Sequence, residues 1–404
     1  MVTYNFDYIS SKDKPYFEER VSKSCFIEQN LLLREYAESY VLPYSQGLGE
    51  GGVLDSQKHL VGCSTLHEEL QSQLYEFEEN QVKYIDEEVL FIGNLYSVYG
   101  HAITDNLKKI WFLYTEEFQY LMSKGVKLIY ITFHGQELES YVFDIFRLAG
   151  CDVSKAKRID TITKFRKIYI PDNSMILSHG RRLYTIEFKQ TIERIKNSVG
   201  QKQYPIYEKV YLSRTAINQK RDYGELYVER LFEKVGGYTI LHPEKLSIEE
   251  QVYIAMHCKC LAATVGSVSH TAIFCAPQTQ LIELQKANYI NGYQVMIEHL
   301  IEGRVTYIDA NHTLPLKYPW GGPFFMAKTR YLANYFQIHF FDLYFLRREW
   351  YKYLTRYFHI KISNLIHSII QSTVNARISN EKFINMINDY NEIIKENSDS
   401  ENVF

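Results

Sequence analysis

Between Lys209 and Leu284 the spacing of apolar residues changes in strict turn. A compact apolar run at Lys209–Ser213 predicts a strand, and helical spacing over Glu225–Val235 predicts a helix stopped by Gly236 and Gly237. A strand at Tyr238–Leu241, a helix at Ile248–His257 and strands at Leu261–Val265 and Gln280–Leu284 follow. Ser247 and Glu250 stand three apart before the second helix, the spacing of a capping box. Leu261–Val265 is small and apolar throughout, as a strand covered on both faces should be. Strands alternating with helices in this way predict parallel pairing with right-handed crossovers.

The chain before this segment alternates less regularly. A short strand is expected at Val89–Gly93, and after Gly100 the residues Ala102, Ile103, Leu107, Ile110, Trp111 and Tyr114 recur at helical spacing. That spacing sets His101 and Asp105 four apart on one helix face, where they either work together or merely solvate and complement the helix start. A strand at Lys127–Thr132, a helix at Glu137–Leu148, strands at Arg158–Thr163 and Lys167–Ile170, and a helix at Tyr184–Ser198 come next. QKQYPIYE then reads as an extended linker, because Pro205 cannot continue a helix. The expected organisation is an α/β domain over residues 1–200, a second over 206–325 and a helical region over 326–404.

A chain of 404 residues with 46% apolar content can bury cores for two domains and an appendage. Its net charge of −3 supplies no general attraction to nucleic acid, which removes that class of partner. The N-terminus lacks a basic start followed by an apolar core, and no apolar run reaches the roughly 18 residues that span a bilayer, so a cytoplasmic protein is expected. Cys25, Cys63, Cys151, Cys258, Cys260 and Cys275 form no Cys-x-x-Cys pair and read as small buried residues rather than metal ligands.

Candidate chemistry gathers at predicted strand ends. Gly266 and Ser267 break the run after Val265, and Ser269, His270 and Thr271 supply polar groups where a helix should begin. A strand, a glycine turn and a helix start make a ready anion site, although an ordinary turn in an α/β core has the same pattern. Arg214 ends the Lys209–Ser213 strand, and Lys220 and Arg221 lie in the polar loop beyond it. In an open parallel sheet the ligand sits beyond the carboxyl ends of the strands, so Arg214, Lys220, Arg221, Ser267 and His270 should converge on one crevice and hold phosphate. Either loop cation could equally be solvated.

At these residues the chain resembles the glycosyltransferase family 61 (DUF563-like) proteins, which include bacterial capsular polysaccharide transferases. YGHAITDNLKKIW is similar to the family's Gly-His-x-x-x-Asp segment through Gly100, His101 and Asp105. VYLSRTAINQKRDYGEL resembles its Ser-Arg segment through Ser213, Arg214, Arg221 and Glu225, with Gly224 where asparagine is usual. The stretch ending in GSVSHTAIF carries Gly266, Ser267, His270 and Phe274 in register, while Ser269 and Thr271 replace the usual leucine and asparagine. The resemblance implies a GT-B-like architecture, two Rossmann-like domains facing a cleft, with a nucleotide-sugar donor such as a UDP-sugar on the second and a glycan acceptor on the first. It implies inverting transfer with His101, Asp105 and Arg214 catalytic, and Ser213, Arg214, Lys220, Arg221, Gly266, Ser267 and His270 on the donor. Glu283 is a candidate for a ribose hydroxyl, against the ordinary role of a strand-end glutamate. No two aspartates are separated by one residue, so no Asp-x-Asp metal motif exists, and no cofactor or metal is expected. A non-catalytic partner in a polysaccharide assembly complex and a nucleotide-sugar epimerase are the alternatives. The aromatic and basic stretch from Tyr335, YFQIHFFDLYFLRREWYKYLTRYFHI, suits packing back on the first domain and also a peripheral contact with the inner membrane face.

Overall fold

The computed structural model describes residues 1–46, 49–66, 75–217, 221–315, 321–327, 329–339 and 347–377, the stretch 367–377 by its backbone only. The chain is α/β, built on two six-stranded sheets. One sheet is parallel throughout and runs Thr239–Leu241, Lys209–Leu212, Cys260–Thr264, Gln280–Gln285, Arg304–Asp309, Thr3–Tyr8. From Lys209–Leu212 the chain steps to one side for Thr239–Leu241, then crosses to the other side for every later strand. That reversal is a topological switch point, and a crevice opens there beyond the strand ends. Arg214 and Gly266 each follow one of the two strands that flank it.

The interior strands of this sheet are buried on both faces, which is why Val210 to Leu212 and Leu261 to Ala263 read as unbroken apolar runs. The helix Ile248–His257 has its expected bounds, and both halves of the Ser247–Glu250 capping box are formed. Thr3–Tyr8 is a departure. It lies outside the alternating segment, yet completes the parallel sheet against Arg304–Asp309, with the Phe6 ring stacked 5.6 Å from Tyr307.

The other sheet is mixed and runs Gly52–Leu54, Leu33–Leu42, Thr163–Pro171, Lys83–Leu95, Lys127–Thr132, Lys157–Arg158. Lys83–Leu95 is longer than the strand expected at Val89–Gly93, and the strand expected over Arg158–Thr163 resolves into the end of Lys157–Arg158 and the start of Thr163–Pro171. The C-terminal helices lie over the second half of the chain. Phe336 of Arg330–Phe336 meets Phe232 edge-on at 5.0 Å, and Tyr353 and Tyr357 of Arg347–Arg377 pack with Phe325 and Ala327. Among the described residues no helix is long and apolar enough to cross a membrane.

The parallel sheet also encloses two carboxyl groups. Glu298 is fully buried and accepts from the Tyr307 hydroxyl at 2.8 Å, while Glu283 accepts from Gln294 Nε2 at 2.7 Å. Burial pushes Glu298 up to about 8 and Glu283 well above the usual carboxylate range. The folded protein thus keeps protons that the unfolded chain releases. Stability is whole at mildly acidic pH and falls as pH rises from the carboxylate range toward about 8. Glu298→Gln should melt close to the parent near about pH 4 and above it near about pH 8, a convergence and divergence that thermal melts across this range would display.

Candidate active site

The segment after Gly100 is a single α-turn, Tyr99–Ala102, followed by 3-10 turns at Asp105–Leu107 and Ile110–Tyr114, rather than the one helix its spacing predicts. The break falls at Thr104, whose φ of −127° and ψ of −82° are not helical. An amphipathic helix needs a solvated face, and this segment has almost none: Thr104, Asp105, Asn106, Lys108 and Lys109 are buried with their apolar neighbours. Four of these side chains, all but Asp105, bind backbone instead. Thr104 Oγ1 donates to the Gly100 carbonyl at 2.7 Å, Asn106 accepts from Tyr96 N at 3.0 Å, Lys108 Nζ donates to the Leu66 carbonyl at 2.8 Å, and Lys109 Nζ donates to the Pro171 carbonyl.

His101 and Asp105 still meet, with Nδ1 2.6 Å from Oδ2. The Asp105 carboxylate also accepts from the Tyr293 hydroxyl at 2.7 Å and lies 3.8 Å from the Arg182 guanidinium, which in turn covers the Tyr293 ring at 4.1 Å. Burial opposes its charge, but the His101 hydrogen bond and the charges of Arg182 and Lys108 outweigh that and hold it well below the usual carboxylate range. Asp105 is therefore an anion behind His101, and His101 itself faces the cavity.

The opposite wall is cationic. Arg214 Nη1 is 3.2 Å from Asp222 Oδ2, and Lys286 Nζ is 2.9 Å from Asp222 Oδ1. Lys286 directly follows the strand Gln280–Gln285 and sits 4.8 Å from the Phe324 ring centre, with Arg221 at 5.8 Å from the same ring. Burial lowers the Lys286 pKa, the Asp222 charge opposes that, and neighbouring Arg214 lowers it further. Below them, the fully buried Glu225 fastens the loop, accepting from Arg214 N at 3.1 Å and from the Tyr211 hydroxyl at 3.2 Å. Three cations against one carboxylate leave this wall net positive.

Gly266 turns the chain between the walls at φ +140°, a conformation that side chains disfavour. A 3-10 helix of six residues, Ser269–Phe274, comes next in place of an α-helix start. Ser269 is turned inward to donate to Gln294 Oε1 at 2.9 Å, and Thr271 pairs with the Tyr99 hydroxyl at 3.0 Å. An anion here would be met by side chains, because so short a helix presents little dipole. His270 is buried, with neither ring nitrogen hydrogen-bonded among the described residues. Burial first, then nearby His101, pushes it down to about 3 against the pull of Asp105 and Asn291, so it is a neutral imidazole.

Together these groups line a cavity of about 360 Å³. Of the residues singled out in the sequence, His101, Arg214, Arg221, Gly266, Ser267 and His270 line it. Asp105 stands one shell back. Ser213 does not reach it, since its buried hydroxyl donates to Glu229 at 2.5 Å. Glu283 is enclosed within the sheet on Gln294, outside the cavity lining. Lys220 lies outside the described residues. Val98, Gly100 and Val265 line it as well, and so do Asp222, Lys286, Tyr289, Asn291, Tyr293 and Phe324, which were not foreseen. Lys286 carried a usable signal, a cation directly beyond a parallel strand end. Tyr293 and Phe324 carried none, because only the packing of distant elements brings them in.

Among the described residues no group of His, Cys, Asp and Glu side chains is arranged to hold a metal ion. Residues 99–282 match the Glycosyltransferase 61 family model. The matched segment contains the His101–Asp105 pair, Arg214 to Asp222 and the Gly266–His270 turn, and it stops short of Lys286, Tyr293 and Phe324. Over that segment the chain is similar to glycosyltransferases of this family. No curated protein matches the chain.

Gly100 is where the two walls touch. A Cβ there would lie 2.7 Å from His270 Nδ1 and 3.1 Å from Ser267 Oγ, closer than either can accept without moving. Gly100→Ala should destabilise the fold by about 1–3 kcal/mol, read as a lowered denaturant midpoint, and displace the two cavity groups it strikes.

Proposed function

We propose that the protein is an inverting, metal-independent glycosyltransferase with a GT-B-like arrangement of its two α/β halves. It moves a sugar from a nucleotide-sugar donor, such as a UDP-sugar, to a glycan hydroxyl in capsular or exopolysaccharide synthesis on the cytoplasmic side. The observation that carries this reading is one cavity with Arg214, Arg221 and Lys286 on one wall and the Asp105-coupled His101 on the other.

The chemistry follows from those charges. Asp105, held ionised by the His101 hydrogen bond and by Arg182 and Lys108, has too little proton affinity to serve as the base. It orients His101 through Nδ1 and stabilises the imidazolium once a proton arrives. Proton acceptance falls to Nε2. The acceptor O–H gives its proton to His101 Nε2, its oxygen bonds the anomeric carbon, and the bond from that carbon to the donor phosphate breaks with inversion. The electron pair leaves on the nucleoside diphosphate, whose charge is met by Arg214, Arg221 and Lys286. His270, neutral in its buried setting, adds an N–H donor rather than a charge.

Incubation with a panel of nucleotide sugars and a glycan acceptor, following nucleotide release, tests the activity, and turnover of donor without any acceptor would point to an epimerase instead. His101→Ala should lower kcat by about 10²–10⁴ with nucleotide affinity nearly unchanged. Arg214→Ala should lower kcat at saturating donor, with Arg214→Lys a poor substitute because lysine cannot make the paired contact. EDTA should leave the rate unchanged, and a loss restored only by a divalent ion would overturn the metal-independent step.

A further inference from the structure

Over residues 347–366 the helix Arg347–Arg377 has two apolar faces, and only one is covered. Tyr353 and Tyr357 are buried against Phe325 and Ala327, whereas Tyr351, Phe358, Ile362, Leu365 and Ile366 are 65%, 54%, 57%, 61% and 47% exposed. Successive offsets of seven, four and three or four residues set these five along a single stripe on the side opposite Tyr353 and Tyr357. Elsewhere among the described residues the exposed large apolar side chains are scattered along the sequence. Scattered ones are ordinary, but a continuous stripe needs a partner.

The charges beside the stripe indicate which partner. Arg347, Arg348, Lys352 and Lys361 are exposed on the same helix, Arg356 is partly so, and Glu349 is the one acid in residues 347–366. Five cations against one carboxylate make this helix positive in a chain whose net charge is −3. A stripe of large apolar groups flanked by long basic side chains is the composition that lies in the plane of an anionic lipid surface. The apolar groups enter the acyl boundary while the ammonium and guanidinium heads stay with the phosphates.

We propose that this face of Arg347–Arg377 docks on an anionic phospholipid surface. The covered side of the helix ties that surface to the cavity. The two-stranded ribbon of Asp222–Tyr223 and Phe324–Phe325 turns Asp222 and Phe324 into the cavity lining and Tyr223 and Phe325 toward the helix. Docking would therefore hold the cavity beside the lipid, which suits an acceptor presented there, but the lipid contact itself stands independently of the transfer reaction.

Co-sedimentation of the full chain with vesicles of phosphatidylglycerol and phosphatidylcholine tests it. Binding should require the anionic lipid, weaken with added salt, and fall roughly tenfold or more in the double variant Phe358→Glu, Ile362→Glu. Because both side chains are exposed, that variant should keep the parent's melting temperature, which confirms that lost binding is not lost folding. Lys352→Glu, Lys361→Glu should weaken binding while leaving the apolar stripe whole. Absence of binding to anionic vesicles overturns the proposal, as does binding that the double variants leave unchanged. A concentration-dependent dimer that Phe358→Glu abolishes, without vesicle binding, would assign the stripe to a second copy of the chain instead.

Discussion

The site depends on a carboxylate buried where the two halves of the chain meet. An isolated ionised carboxyl in an apolar interior costs several kcal/mol or more, and Asp105 is fully enclosed. It is tolerated because three separate elements reach it: His101 from its own segment, Arg182 from the strand Arg181–Tyr184, and Tyr293 from the helix Gly292–Leu300. The Tyr293 contact is available only when the halves dock in one register. The charge that orients His101 is thus also a constraint on how the sheets come together.

The cationic wall obeys the same logic with the signs exchanged. Arg214 and Lys286 would repel each other across a small buried space, and Asp222 between them makes their proximity acceptable before any ligand arrives. Glu225 holds the backbone of Arg214 from beneath. Donors already in place need little reorganisation when negative charge develops, which is the condition under which electrostatic stabilisation is most effective. The 3-10 geometry of Ser269–Phe274 explains why side chains rather than a helix dipole carry this duty.

The ribbon of Asp222–Tyr223 and Phe324–Phe325 connects that wall to the C-terminal helix through the alternation of a strand. One residue of each pair faces the ligand space and the next faces the helix. A short extended pair can therefore serve two environments at once, and the helix over it fixes the position of a wall whose neighbours arrive from far along the sequence.

How much of this was legible in the sequence depends on which interactions are local. Parallel strands buried on both faces are largely apolar, so the elements from Lys209 to Gln285 stood out, as did the Ser247 cap. With that alternation came the rule that ligands gather beyond the strand ends, which located Arg214 and Gly266, and the His101–Asp105 spacing marked a pair that does bond. The same periodicity misled after Gly100, because a segment buried on all sides shows apolar residues at helical intervals without a wet face to keep it a helix. Burial in three dimensions separated residues that looked alike in one: Glu283 and Lys286 stand three apart, within and directly after one strand, yet one is sealed in the sheet and the other opens on the cavity. The sequence by itself determined the parallel core and the chemistry at its strand ends, since both are dictated by neighbours a few residues away. Tertiary structure alone decided that Thr3–Tyr8 completes the far sheet, that Tyr293 and Arg182 hold Asp105 as an anion, and that Gly100 lies against His270, because those contacts join residues whose local patterns carry no trace of one another.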